Sequence, residues 1–155
     1  MRIEFENLSQ IKTVIKPWGY EKWIQAGSKV YPFVLKELLL KQNQRTSLQV
    51  HRIKSETIYI QSGHGKIYTY PKEFDCEKYL NGEYSSEEIA NILDGLISVE
   101  IGPHSIFHTP PNTIHRMVAI TDLLYIEAST TELDDVIRIQ DDSQRIHGRI
   151  ESEHK

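Results

Sequence analysis

The amino-acid sequence predicts an all-β barrel or sandwich, and three observations carry that expectation. Runs of β-branched and aromatic residues, each about five to eight long, recur along the chain. Clusters of Gly, Pro, Asn and Ser separate them. Two runs, Thr57–Gln61 and Lys66–Tyr70, flank Ser62-Gly63-His64-Gly65, which has the signature of a hairpin.

Taken in order, Lys29–Leu40 is apolar-rich and stops at the polar turn Lys41-Gln42-Asn43-Gln44. The hairpin follows. Ile97–Ile101 alternates cleanly and is closed by Gly102-Pro103. Ser105–His108 runs into the turn Thr109-Pro110-Pro111-Asn112, and Arg116–Ile120 and Leu123–Ala128 complete the series. One stretch breaks the pattern: Lys72–Gly95 is polar and does not alternate. Within it Ser85 and Glu88 match a capping box ahead of Ile89, Ala90, Ile92 and Leu93, which predicts a short helix over Ser86–Leu93 on an inserted segment. The polar tail 146–155 is expected to be mobile.

A chain of 155 residues suits one domain, with a core over about 16–145. With 39% hydrophobic and 26% charged residues, the composition is that of an ordinary globular protein. The net charge of −4 gives no electrostatic basis for nucleic acid or an anionic membrane as a partner. No apolar run approaches the roughly 20 residues that span a bilayer. The single cysteine, Cys76, excludes an internal disulfide and a zinc finger. The opening residues lack a signal-type apolar stretch, so a cytoplasmic protein is expected.

Residues that could carry chemistry fall in two segments. In extended chain, residues i and i+2 share a face, so Gln49 and His51 can aim at one point, with Glu56 close behind. An amide oxygen, an imidazole and a carboxylate together suit a divalent cation such as Zn²⁺, Mn²⁺ or Fe²⁺. Far along the chain, Gly102, a strand and the Pro110-Pro111-Asn112 turn lead into His115, which can enter a barrel mouth opposite His51.

These two blocks resemble the two motifs of the cupin superfamily, whose fold is a double-stranded β-helix, a jelly-roll barrel with a metal at its centre. The second motif, G-x5-P-x-G-x2-H, is matched at Pro110 and His115, with Asn112 in the glycine place and a longer spacing from Gly102. Asn is the next-best residue for a left-handed backbone position, so that exchange is mild. Within the cupins the sequence is similar to mannose-6-phosphate isomerase-like proteins, including the cupin domain of type II phosphomannose isomerases. Lys16-Pro17-Trp18-Gly19-Tyr20-Glu21 resembles their P-W-G opening, Arg45–His51 their R-x-S-L-Q-x-H block, and Asp134–Arg145 their closing E-D-D-I-x-R stretch. The likeness runs from Lys16 to Arg145, interrupted by the insertion over Lys72–Gly95. One departure is Ile53, where the first motif's H-x-H pair has its second imidazole.

The resemblance implies a metal-dependent aldose–ketose isomerase of a phosphorylated sugar. Gln49, His51, Glu56 and His115 would be the metal ligands, and His108 the catalytic base, with Glu56 its rival should Glu56 not be a ligand. Lys36, Arg45 and Arg116 would hold the phosphate, since ammonium and guanidinium suit a phosphoryl group; a surface ion pair is the other reading of Lys36 and Arg45. A nucleotide-sugar epimerase or isomerase and a non-catalytic sugar-binding cupin are the alternatives. Pairing of edge strands into a homodimer is expected. Trp18 and Trp23 are expected in core or barrel-end packing, and His108 facing either pocket or solvent. His64, Arg52 and Lys54 are expected at the surface, and Asp134, Asp135, Asp141 and Asp142 in a solvated acidic segment.

Overall fold

In a computed structural model that describes residues 2–154, eleven strands form two antiparallel sheets packed face to face. In chain order the strands are β1 (Thr13–Lys16), β2 (Gly19–Gln25), β3 (Val34–Leu40), β4 (Leu48–Val50), β5 (Glu56–Ser62), β6 (Gly65–Thr69), β7 (Ile97–Ile101), β8 (Ile106–Thr109), β9 (His115–Ala119), β10 (Leu123–Ser129) and β11 (Ile137–Gln140). One sheet runs β1-β2-β3-β10-β5-β8 and the other β11-β4-β9-β6-β7. This is the all-β jelly roll expected from the sequence. Two helices, α1 (Cys76–Leu80) and α2 (Ser86–Asp94), lie between β6 and β7. Both halves of the Ser85–Glu88 capping box are made, so the local signal placed α2 correctly. Helix α1, capped by Asp75, carries no comparable reciprocal signal and was not expected.

Alternation decides what each strand buries. In β3, Val34, Lys36, Leu38 and Leu40 all face inward, and in β5 so do Glu56, Ile58 and Ile60. In β10 the inward series is Leu123, Tyr125 and Glu127. Each series carries one charged member toward one end, with Val34 beyond Lys36 in β3. Leu38, Leu40, Ile58, Ile60, Leu123 and Met117 therefore fill one half of the interior as a hydrophobic core with Trp18. The charged members collect in the other half.

A second apolar cluster lies outside the barrel. Leu48, Val50, Ile114 and Ile137 point away from the interior and are covered by Phe74, Cys76 and Ile92 from the inserted segment. Phe74 is 1% exposed and stacks on Tyr84 with ring centroids 5.0 Å apart. The insertion thus seals the back of the sheet that carries β4 and β9. The tail folds back on the barrel, where Glu151–His154 forms a 3-10 turn against β1. Among the described residues no helix is long and apolar enough to cross a membrane.

Phe74→Ala should cost about 3–5 kcal/mol in urea unfolding, because the cavity it leaves lies between two rigid layers. A loss under 1 kcal/mol would show that the insertion is not anchored there.

Candidate metal centre

The loop after β4 and the turn before β9 bring the two sequence segments together. Gln49 in β4 and His115 in β9 are directly paired across the sheet. Since Leu48 and Val50 face the outer cluster, Gln49 faces the interior, and His51 follows two residues later on the same side. The Pro110-Pro111-Asn112 turn is joined to the first segment by backbone: Asn112 N–H donates to His51 C=O at 2.7 Å. Asn112 has a φ of 61°, the left-handed conformation expected of it in place of glycine.

His51, Glu56 and His115 are all buried, with one ligand-type atom from each lying within 4.8 Å of the others. Glu56 Oε1 stands 3.1 Å from His115 Nε2 and 3.8 Å from His51 Nε2. Its other oxygen, Oε2, is 3.0 Å from Lys54 Nζ. Each imidazole is aimed by its second nitrogen. His51 Nδ1 sits 2.5 Å from the Asp135 carbonyl oxygen, and His115 Nδ1 sits 3.0 Å from that of Thr113. With Nδ1 donating, each Nε2 turns its lone pair to the shared centre, the orientation that fixes metal-binding histidines. The Gln49 side chain belongs to the same cluster: Nε2 lies 3.5 Å from His115 Nε2, while Oε1 accepts from Ser47 Oγ at 2.7 Å. A flip of this amide would present its oxygen instead.

Titration follows from these contacts. Burial pushes the His51 pKa down, and Glu56 only partly offsets it, so the ring is held neutral. Burial acts the same way on His115, but the close Glu56 carboxylate outweighs it and raises that pKa. For Glu56, burial is overcome by Lys54 and the two imidazoles, which hold the carboxyl well below its usual range.

The donor set fits a divalent cation. Two imidazole nitrogens and a carboxylate oxygen are ligands such ions take, and His51 Nε2 is buried without a hydrogen-bond partner among the described residues. A buried nitrogen left without a partner is costly, and an ion at the shared centre would satisfy it.

Around this cluster runs a chain of alternating charges. Lys54 Nζ is 3.5 Å from Glu127, Lys36 Nζ is 3.9 Å from Glu127, and Lys36 Nζ is 3.2 Å from Glu21 Oε1. Glu21 also accepts from Trp23 Nε1 at 2.7 Å. Burial raises Glu127 to about 7 despite Lys54 and Lys36. Burial also works to raise Glu21, but Lys36 and Lys16 outweigh it and hold that carboxyl at about 2. Together these side chains enclose a cavity of about 100 Å³ between the sheets, with Trp23, Tyr125, Arg138 and Arg145 also in its wall.

Several sequence expectations change here. Gln49, His51, Glu56, His115 and Lys36 reach the cavity, although Lys36 is engaged by Glu21 and Glu127. His108 does not reach it: Phe107 takes the inward parity of β8, so His108 faces out and meets Thr57 Oγ1 at 2.8 Å. Arg116 is likewise on the outward parity of β9, donating to the carbonyls of Thr46 at 2.8 Å and Gln140 at 3.3 Å. Arg45 forms an exposed pair with Asp142 at 2.7 Å outside the barrel. Ile53 is 60% exposed and stays out of the centre. Of the two cations expected at the surface, Arg52 is exposed and pairs with Glu77, but Lys54 is buried. Asp135 is not merely solvated: its carboxylate accepts the backbone N–H groups of Arg52, Ile53 and Lys54 at 3.0, 2.7 and 2.9 Å. Trp18 is in the core as expected, while Trp23 stands in the cavity wall. Glu21, Lys54 and Glu127 were missed as site residues. Their one available signal is a charge on the inward parity of an otherwise apolar strand or beside one.

No family model and no curated protein matches the chain. Solved structures do. The capsular polysaccharide assembling protein CapF from Staphylococcus aureus matches with a TM-score of 0.61 at 13% identity, over 84% of this chain and 32% of its own. KdgF from Halomonas sp. matches with a TM-score of 0.60 at 13% identity, over 85% of this chain and 96% of its own. The Bacillus subtilis oxalate decarboxylase, with Mn(II) centres, matches with a TM-score of 0.60 at 11% identity, over 85% of this chain and 31% of its own. The chain thus spans about a third of CapF and of the decarboxylase. The fold is the cupin jelly roll.

Two results are expected. Asp135→Ala, which frees three N–H groups and loosens the loop behind His51, should weaken binding of added Zn²⁺ or Mn²⁺ by about tenfold or more; unchanged affinity in calorimetry would remove Asp135 from the centre's support. For Glu21 the folded pKa of about 2 lies below its ordinary 4.5. Its stabilisation is therefore present above pH ~4.5 and lost as pH falls toward ~2, an effect of about 3 kcal/mol. The stability gap between the protein and Glu21→Gln should shrink over that interval, and a gap independent of pH would contradict this.

Proposed function

We propose that the protein is a metal-dependent cupin enzyme acting on a sugar, and that its reaction is aldose–ketose isomerisation of a phosphorylated sugar such as mannose 6-phosphate. The observation that carries the metal part is the convergence of His51, Glu56 and His115 within 4.8 Å, with Gln49 beside them. The Mn(II) centres of an oxalate decarboxylase of the same fold support a divalent ion in a barrel of this kind. CapF, a capsular polysaccharide assembling protein of that fold, and the resemblance of the Arg45–His51 and Asp134–Arg145 blocks to mannose-6-phosphate isomerase-like proteins support the sugar part.

A divalent ion held by His51, Glu56, His115 and the Gln49 oxygen would supply Lewis-acid polarisation of the sugar's carbonyl and hydroxyl oxygens. The chain's own groups do the rest. His51 and His115 are fixed through Nδ1, so no reorientation is needed when substrate arrives. Glu56 uses one oxygen toward the imidazoles and keeps the other on Lys54. Isomerisation moves a proton between neighbouring carbons, so it needs a base within reach of them. His108 faces outward, and Glu56 is committed as a ligand with its other oxygen on Lys54, so neither of the two groups first considered serves as that base. The apolar half, floored by Ile58, Ile67, Met117 and Tyr125, excludes water from the reacting end.

The purified protein, loaded with Mn²⁺ or Zn²⁺, should interconvert mannose 6-phosphate and fructose 6-phosphate and hold about one metal per chain. His115→Ala should lose the metal and at least about a thousandfold in kcat/KM, since both ligand and orientation go. Failure to turn over any hexose or heptose phosphate with any divalent ion would contradict the isomerase; metal-free protein that cannot be loaded would contradict the centre itself.

A further inference from the structure

The end of the chain closes over the cavity mouth. Gly148, with a φ of 74°, turns the backbone, and its N–H donates to Val136 C=O at 2.8 Å. Arg138 fastens this return, donating from Nη1 to the carbonyls of Gly148 at 2.9 Å and of Ile146, while its backbone N–H donates to His147 Nδ1 at 2.8 Å. Gly148, Arg149 and Ile150 then become part of the cavity wall. In the turn that follows, Glu153 Oε2 lies 2.6 Å from Lys16 Nζ and Oε1 lies 3.3 Å from Arg145 Nη1. The three side chains are only 9%, 11% and 9% exposed, in the order Lys16, Glu153, Arg145.

Lys16 and Arg145 also line the cavity. They come from opposite ends of the sequence and converge on a single carboxylate, an arrangement that equally receives a phosphate or carboxylate from a ligand. Arg145 is kept in place without Glu153, because Asp141 binds its Nε at 2.9 Å and its Nη2 at 3.0 Å. The cavity beneath, about 100 Å³, is well below the roughly 300–1,000 Å³ that encloses a small molecule. Something at its mouth must therefore move to admit a sugar. The strap is suited to move: no residue of the Glu151–His154 turn is buried, Ile146 is 75% exposed, and apart from Arg149 and His154 against the Trp23 ring the segment is held by ion pairs and hydrogen bonds.

We infer that Lys16 and Arg145 form a subsite for the anionic group of the ligand, and that Glu153 occupies it in the ligand-free protein as an intramolecular competitor. The ligand class is an acidic sugar, phosphorylated or carboxylated. That it is a sugar rests on the function proposed above; the anion subsite rests on the geometry of the strap alone. When the ligand's anion replaces Glu153, the strap lifts and the cavity opens. Because the ligand must displace Glu153, its apparent affinity is reduced by the fraction of time the strap is closed.

The test is binding by the full-length protein and by Glu153→Gln, with exposed Glu151→Gln as the control for net charge. The probes are inorganic phosphate, mannose 6-phosphate, glucuronate and neutral mannose. If the strap is open about a tenth of the time, Glu153→Gln should bind phosphate about tenfold more tightly, mannose, which needs the same open cavity, should gain by no more than that, and Glu151→Gln should match the unaltered protein. Comparing mannose 6-phosphate with glucuronate shows which acidic group gains more. Saturating phosphate should also speed hydrogen exchange of backbone amides 146–154 in the unaltered protein, a measurement that needs no variant. Equal phosphate affinity in the protein and Glu153→Gln, an equal gain in Glu151→Gln, or exchange that phosphate leaves unchanged would overturn the inference. Tighter phosphate binding with no sugar bound would leave the subsite standing and count against the proposed function; turnover of sugar phosphate with no effect of Glu153→Gln would do the reverse.

Discussion

The Glu56 carboxylate is the contact on which the rest of the interior depends. It sits within a buried space, where an isolated charge would be too costly to keep. It stays ionised because one oxygen faces two imidazoles and the other faces the Lys54 ammonium. Remove that carboxylate and Lys54 loses one of its two partners, His115 loses its counter-ion, and Glu127 keeps two ammonium neighbours without its carboxylate one. A buried pair contributes little net stability on its own, but breaking one side of it is expensive. The charged half of the barrel therefore stands or falls as a network, from Glu21 at the mouth to His115 at the centre.

The network exists because strand alternation is indifferent to chemistry. A strand places every second residue inward, and the pleat makes no distinction between Leu38 and Lys36 or between Ile58 and Glu56. By holding Lys36, Glu56 and Glu127 close to one another in β3, β5 and β10, the sequence divides one interior into an apolar half and a half that carries the charged cluster. The antiparallel register keeps these residues level: Lys36 pairs with Glu127, and Glu56 with Ser129 two residues further on. The inserted helices seal the outer face of β4 and β9 and so give Gln49 and His115 a fixed backing.

Much of this was legible in the sequence, and the limits have physical causes. Most of the strands, the capped helix α2 and the left-handed Asn112 follow from local signals, and the Gln49–His51 parity holds because i and i+2 share a face in any extended segment. The metal-type cluster was legible too, since its members lie in short motifs around tight turns. His108 and Arg116 were misplaced because a strand's absolute parity, which face is inside, is fixed only by pairing in three dimensions. Phe107 and His115 win the inward positions, and their neighbours must face out. Lys54 and Asp135 were misjudged as surface charges for a related reason. Their partners are dozens of residues away: Glu127 for the first, the loop's own backbone N–H groups for the second. The strap was invisible because a polar tail reads as mobile until Lys16, Arg138 and Arg145 are seen to gather it in.

The central claim is that His51, Glu56 and His115 form one metal centre and that Ile53 has no part in it. The most direct measurement is anomalous diffraction at the metal edge from crystals of the Zn²⁺- or Mn²⁺-loaded protein. A single strong peak is expected, with two Nε2 atoms and the Glu56 oxygen at about 2.0–2.2 Å, and Ile53 still in solvent. A peak elsewhere on the protein, or none between the two imidazoles at full loading, would contradict it.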